Sequence, residues 1–117
     1  MSSIYERTKL IIGEDGLERL RSSKVAVVGI GGVGSFAAEA LARAGIGHIV
    51  IVDFDLVEKS NINRQIHALH STLGMPKVEV MKARILDINP DIKVTAIKDY
   101  YCAQNADDIL SDHIDYC

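Results

Sequence analysis

Lys24-Val-Ala-Val-Val-Gly29-Ile-Gly31-Gly32-Val-Gly34-Ser-Phe-Ala-Ala-Glu-Ala-Leu-Ala-Arg-Ala-Gly45 is the stretch from which the rest of the chain can be read. The apolar run Val25 to Val28 has the length and branching of a buried parallel strand. It leads directly into Gly29-x-Gly31-Gly32-x-Gly34. Behind the glycines, Val33, Phe36, Ala37, Ala40, Leu41 and Ala44 recur at helical spacing, which predicts a helix with that stripe turned to the core. Gly45 stands where a left-handed residue would stop it. Strand, glycine turn and helix in this order describe a phosphate-binding unit: glycines let the chain turn tightly and let a phosphate approach the amides, and the helix start favours negative charge. A turn that uses glycine only for packing is the plain alternative.

The next strand weighs against that alternative. His48-Ile-Val-Ile-Val-Asp53 is again apolar and β-branched, and Asp53 follows it about 20 residues after the turn, where an acid receives ribose hydroxyls. Asp55 comes two residues later, either beside it in the site or on the loop surface. Residues 56–70 are too polar for a strand and too long for a simple connection, and irregular insertions at strand ends are where function concentrates. Asn61, Asn63, Arg64 and Gln65 supply amides and a guanidinium suited to phosphate oxygens. His67 and His70 are spaced for one face of a short helix, yet two histidines without a third ligand read as packing or surface. No residue of the chain is expected to bind a metal.

Pro76 suits the first position of a further helix, whose core face is Val78, Met81, Ile85 and Ile88. Lys77 sits at the unfavourable end of that helix for a cation, so it either has an anion nearby or is simply exposed. Asn89-Pro90 ends the helix. A third strand covers 92–97, and Asn105 caps a short helix bearing Ala106, Asp108, Ile109 and Leu110. Ile114-Asp-Tyr-Cys117 reads as the start of a fourth strand. A doubly wound sheet does not normally stop there, so the chain is expected to be the N-terminal part of a longer protein.

Upstream, residues 4–22 look amphipathic, with Leu10, Ile11, Leu17 and Leu20 apolar and Gly13 and Gly16 dividing them into two short helices. This arm has apolar surface to bury on its own domain or on a second subunit, and Arg7 could lend a cation to a neighbour's site. The organisation is therefore an arm, 1–22, followed by the N-terminal part of a Rossmann-like nucleotide-binding domain, 23–117. The fold class is α/β, a doubly wound, mostly parallel sheet.

With 117 residues the chain is one domain at most, and 48% apolar with 25% charged residues suffices for a core. A net charge of −3 leaves no global footprint for nucleic acid, so such a substrate would need a local patch or another region. Cys102 and Cys117 are in no metal-ligand spacing and fit a reduced setting. Nothing resembles a secretory leader or the roughly 20 apolar residues of a membrane span, so the expected location is cytoplasmic.

Taken together, Gly29-Ile-Gly-Gly-Val-Gly34, Asp53-Phe-Asp55, Ser60-Asn-Ile-Asn-Arg64-Gln65, Pro76-Lys77-Val-Glu and Asp87-Ile-Asn-Pro90 resemble the ThiF/MoeB/HesA superfamily, the bacterial relatives of ubiquitin-activating enzymes. Asn61-Ile-Asn-Arg-Gln-Ile-His-Ala-Leu69 is most similar to the tRNA threonylcarbamoyladenosine dehydratase branch. The resemblance implies an ATP site rather than a dinucleotide site. Gly29, Gly31, Gly32 and Gly34 would hold phosphates and Asp53 the ribose. Asn61 and Arg64 would reach the triphosphate with Gln65 beside them, and Lys77 would also reach phosphate. Asp55 and Asn63 complete the binding set. Arg64, Lys77 and an Arg7 donated across a homodimer would serve the chemistry.

That chemistry is adenylation of a carboxylate. In the dehydratase branch it belongs to threonylcarbamoyladenosine in tRNA and then closes a ring. In the MoeB and ThiF branches it is the C-terminal glycine of a ubiquitin-like sulfur-carrier protein, and a sulfur-transfer partner would follow. The resemblance places the acid that binds Mg²⁺ beyond residue 117. An NAD-linked dehydrogenase satisfies the glycine fingerprint and Asp53 as well, but not the Asn61–Arg64 loop with Lys77.

Overall fold

Four apolar side chains of one strand set the layers. A computed structural model describes residues 4–99 and 114–117, and in it β2 (His48–Val52) buries Ile49, Val50, Ile51 and Val52. Side chains alternate along a strand, so Ile49 and Ile51 enter one cluster while Val50 and Val52 enter another. The strand is therefore covered on both faces, as its unbroken apolar run predicts. β1 (Lys24–Val28) and β3 (Lys93–Ile97) flank it, both parallel, in the order β1-β2-β3. α2 (Gly32–Ala44) and α3 (Lys77–Ile88) make the two crossovers, and Ala38, Ala42, Val78, Met81 and Ile85 meet Ile49 and Ile51 in the larger cluster.

The free edge of β1 carries the turning point of the sheet. Asp115 N–H donates to Lys24 O at 2.8 Å and Ala26 N–H to Tyr116 O at 2.9 Å, so residues 114–117 run parallel to β1 on the side away from β2. β2 and residues 114–117 thus lie on opposite sides of β1, so the strand order reverses there. In open α/β sheets ligands bind at the strand ends where this reversal occurs, which here is the end that carries the glycine turn. This pairing is a single bridge beside β1, and the expected helix at Asn105, like Cys102, lies outside the described residues.

The predicted face of α2 is corrected. The residues turned to the core are Ser35, Ala38 and Ala42, and of the predicted stripe Leu41 packs on the same cluster, whereas Val33 is 86% exposed and Phe36 is 53% exposed. Small side chains let the helix axis come close to the sheet, and strand residues with Met81 and Ile85 fill the space. Val33, Ala37 and Leu41 of that stripe line a groove of about 860 Å³ beside β1, with Val28, Gly29 and Tyr116. Gly45 does end α2 in the left-handed region, φ 108°, with its N–H on Leu41 O and Ala42 O.

α1 (Glu6–Arg21) is interrupted once, at Gly13 (φ 77°, ψ 175°), and Gly16 lies within the helix. Leu17 is buried and Leu20 packs on the core, while Leu10 and Ile11 are exposed. The arm is fastened at its other end by Tyr5, whose hydroxyl donates to Ala42 O at 2.7 Å and accepts from Asn89 Nδ2 at 3.0 Å. Pro76 is the N-cap of α3 rather than its first residue, because a bridge to Leu56 holds it extended. On the core face of α3, Ile88 is only partly buried and Val80 is buried in addition. No helix among the described residues is long and apolar enough to cross a membrane.

One ion pair ties the two crossover helices. Arg84 of α3 hydrogen-bonds Glu39 of α2, and Arg43 lies 3.4 Å from the same carboxylate. Burial pushes the Glu39 carboxyl up, but the Arg84 hydrogen bond and charge, with those of Arg43, outweigh it and hold the group below its ordinary 4.5. A carboxyl depressed in the folded state contributes stability that is present above its unfolded value and lost as pH falls through the folded one. Glu39→Gln should therefore cost on the order of 1 kcal/mol at neutral pH, between an exposed and a buried pair. It should also flatten the loss of stability below pH 4.5. Denaturant melts over acid pH check this, and an acid profile identical to wild type would contradict it.

Candidate nucleotide-binding site

The glycine turn begins where β1 ends. Gly29 takes φ 89°, and its N–H donates to Val52 O at 2.8 Å. A Cβ at Gly34 would land on the Gly29 carbonyl oxygen, so the helix start and the strand end can approach this closely only without a side chain there. Gly31 is the N-cap of α2 and no side chain caps it. The first helical backbone bond is Ser35 N–H to Gly31 O, so the amides of Gly32, Val33 and Gly34 precede the hydrogen-bond ladder and point out of the helix start. That is an anion-binding end.

Asp53 braces the turn from the next strand. Its Oδ2 accepts the Ile30 N–H at 2.7 Å and its Oδ1 accepts the Asp55 N–H at 2.8 Å. A carboxylate has about four lone-pair sites, so acceptor capacity remains for ligand hydroxyls.

The irregular loop comes back over the same place. Val57 and Ala68 anchor it on Val80 of α3. Asn61 is buried, with its Oδ1 accepting the Glu58 N–H at 2.8 Å, so its oxygen shapes the loop and its amide nitrogen is left for a ligand. Arg64 is exposed. Its stem carbons lie 3.7 Å from where a Gly32 Cβ would be, and its guanidinium donates to Ser60 O and Asn63 Oδ1, both at 3.0 Å. Gln65 is buried, with Nε2 4.0 Å from the corresponding position at Gly31 and with an unpartnered Oε1. Asn63 is exposed and reaches the site through Arg64.

Lys77 is neither exposed nor on the rim; it is 5% exposed at the start of α3. Its N–H donates to Asp55 O at 3.1 Å, and its Nζ lies 3.7 Å from Asp55 Oδ2. That pair is longer than a hydrogen bond, so the ammonium donors remain available to an anion. Arg7 stands apart. It is exposed two residues from Tyr5, near the C-terminal end of α2, away from the glycine turn.

Two residues beyond the expected set join the site. Ser35, fully buried, accepts the Ile66 N–H at 3.3 Å. His67 Nε2 lies 2.8 Å from Ile30 O. No sequence pattern marks Ser35. His67 and His70 share no helix: His67 is buried in a turn and His70 is exposed at the start of a separate 3-10 turn.

The donor set fits a polyphosphate: an uncapped helix start, a guanidinium above it and a buried ammonium. Among the described residues no group of three or more His, Cys, Asp or Glu is placed to hold a metal ion.

Comparison with known proteins identifies the family. A model of the ThiF family matches residues 5–116. The tRNA threonylcarbamoyladenosine dehydratase of Bacillus subtilis is 54% identical over 112 residues, covering 96% of this chain and 44% of that protein. The molybdopterin-synthase adenylyltransferase of Haemophilus influenzae is 45% identical over 83 residues, 71% of this chain and 34% of that protein. The crystal structure of the Escherichia coli tRNA N6-threonylcarbamoyladenosine dehydratase in complex with ATP superimposes with a TM-score of 0.92 at 45% identity. It covers 94% of this chain and 45% of that one. The chain thus spans less than half the length of these relatives.

Proposed function

The chain belongs to the ThiF family, and from that premise we propose that its protein is an ATP-dependent tRNA threonylcarbamoyladenosine dehydratase. Residues 23–117 form the N-terminal part of the ATP-binding domain, behind the arm at 1–22. The observation that carries the reading is the placement of Arg64 over Gly32, at an uncapped helix start, with Lys77 buried and its donors open. A dinucleotide's pyrophosphate can be held largely by backbone amides, whereas a triphosphate carries more charge and calls for side-chain cations or a metal.

In this account the amides of Gly32 to Gly34 hold phosphate oxygens. Asp53 takes the ribose hydroxyls, with Asp55 behind Lys77. Asn61, Asn63 and Gln65 line the loop side. The threonylcarbamoyl carboxylate attacks the α-phosphorus of ATP and pyrophosphate leaves. Arg64 and Lys77 offset the charge that builds on the phosphates, which is worth most in the transition state. The acyl adenylate is then attacked from within the same modified nucleoside, AMP leaves, and the net change in the base is loss of water. Mg²⁺ would accompany ATP, bound by an acid outside these residues. The protein would act in the cytoplasm as a homodimer, with Arg7 donated between subunits and the exposed Leu10 and Ile11 covered.

The tRNA substrate is favoured by 54% identity to the Bacillus subtilis dehydratase against 45% to the Haemophilus influenzae adenylyltransferase. The latter likeness supports the second reading, activation of the C-terminal glycine of a sulfur-carrier protein.

Calorimetry on the intact protein should give ATP binding with Mg²⁺ and much weaker NAD binding. Tight NAD binding without ATP binding would overturn the assignment in favour of a dehydrogenase. Light scattering on the same samples should give a dimer at micromolar concentration, and monomer alone would remove Arg7 from the site.

A further inference from the structure

Ile30 sits between Gly29 and Gly31, fully buried, and both polar groups of its backbone are held by side chains. Its N–H goes to Asp53 and its carbonyl oxygen faces His67 Nε2 at 2.8 Å. A carbonyl only accepts, so Nε2 carries the proton. Nδ1 is then a bare lone pair, and it is buried without a partner. The neighbours of His67 act on the same turn. Gln65 lies over Gly31, and the Ile66 N–H donates to Ser35 Oγ in the first turn of α2. Three consecutive residues of the loop therefore meet the glycine turn and the helix start.

We propose that His67 is a positioning residue of the nucleotide site: its Nε2–H on the Ile30 carbonyl fixes the glycine turn against the loop that carries Asn61, Arg64 and Gln65. The inference rests on the ATP reading above. Its geometry has a clear reason. Phosphate amides and a phosphate guanidinium must keep a fixed separation to act on one ligand, and they belong to segments more than 25 residues apart. A loop without regular backbone bonding cannot set that separation by itself, and His67, with its 2.8 Å contact to Ile30 O, spans it together with the longer Ser35–Ile66 bond and Gln65. Desolvation keeps the imidazole neutral by lowering its basicity. The Ile30 hydrogen bond and the Asp53 charge oppose this shift, while the positive charges of Lys77 and Arg84 reinforce it. Protonation would also leave a buried N–H without an acceptor, so the tautomer that donates to Ile30 is the stable one at neutral pH.

The test compares His67→Leu with His67→Gln in the intact protein, by ATP calorimetry at a temperature where thermal melts show both folded. Loss of one hydrogen bond and its alignment should weaken ATP binding about tenfold in His67→Leu. His67→Gln, whose amide can donate to the same carbonyl, should restore most of it. If His67→Leu does not fold, His67→Asn, whose amide falls short of Ile30, carries the comparison. Equal ATP affinity in the Leu or Asn variant and in His67→Gln would overturn the inference and leave the ATP reading standing. No ATP binding by wild type would overturn both.

Discussion

Arg64→Ala is expected to slow ATP–pyrophosphate exchange by about 10²-fold or more while leaving the melting curve nearly unchanged. Both halves follow from its surroundings. Arg64 is exposed, and its partners in the protein are Ser60 O and Asn63 Oδ1 on its own loop. Removing such a side chain changes stability by within about 0.5 kcal/mol. Its stem lies over Gly32, however, so a modest turn about its last bonds would carry the guanidinium to an anion at the helix start. A charge-assisted bond to phosphate contributes about 1.5–3 kcal/mol in a ground state, and more where charge develops. Lysine at this position should recover only part of the rate, since it offers a point charge and no fork. Near-normal exchange in Arg64→Ala would remove the main residue-level support for the site. Lys77 is a less clean probe, because it is buried beside Asp55 and its loss would disturb the start of α3 as well.

Gly34→Ala should be severely damaging at the nucleotide site. Helix propensity alone would favour alanine by about 1 kcal/mol. Against this, the new methyl would occupy the position of the Gly29 carbonyl oxygen. That oxygen belongs to backbone fixed on both sides, by Gly29 N–H on Val52 and by Ile30 on Asp53 and His67, so it cannot yield cheaply. Overpacking of this kind costs about 1–3 kcal/mol, and a rigid neighbour places it at the top of that range. The shift needed to relieve it would carry the α2 amides away from the phosphates. The expected result is a destabilised protein that no longer binds ATP, read by a denaturant melt and a nucleotide titration. A more stable Gly34→Ala variant with unchanged ATP affinity would contradict the account of the turn.

The parts of this fold that the sequence makes legible are those where chemistry leaves few choices. An unbroken β-branched run such as Ile49 to Val52 needs burial on both faces, and the glycines after Val28 need a turn. The face of α2 was not legible because the helix offers two stripes. Hydrophobicity favours the bulky one, Val33 and Phe36, but close approach to the sheet selects Ser35, Ala38 and Ala42. Val33 instead borders an open groove beside β1, and Phe36 is left 53% exposed. The loop was legible as a place of function and not as a structure. It has no period, and its shape comes from single side-chain bonds such as Asn61 to Glu58 and His67 to Ile30. Helix patterning leaves Lys77 either exposed or near an anion. Its burial depends on the Leu56–Pro76 bridge and on Asp55, contacts that helix patterning does not contain.

The most direct test of the central claim is incubation of the intact protein with ATP, Mg²⁺ and tRNA carrying threonylcarbamoyladenosine, followed by mass analysis of the released nucleosides. The account predicts that the modified nucleoside loses one water in an ATP-dependent manner, with AMP formed in step, and that Arg64→Ala slows both by about 10²-fold or more. Unchanged nucleoside with no AMP formed, while a sulfur-carrier protein is adenylated at its C-terminal glycine under the same conditions, would contradict it.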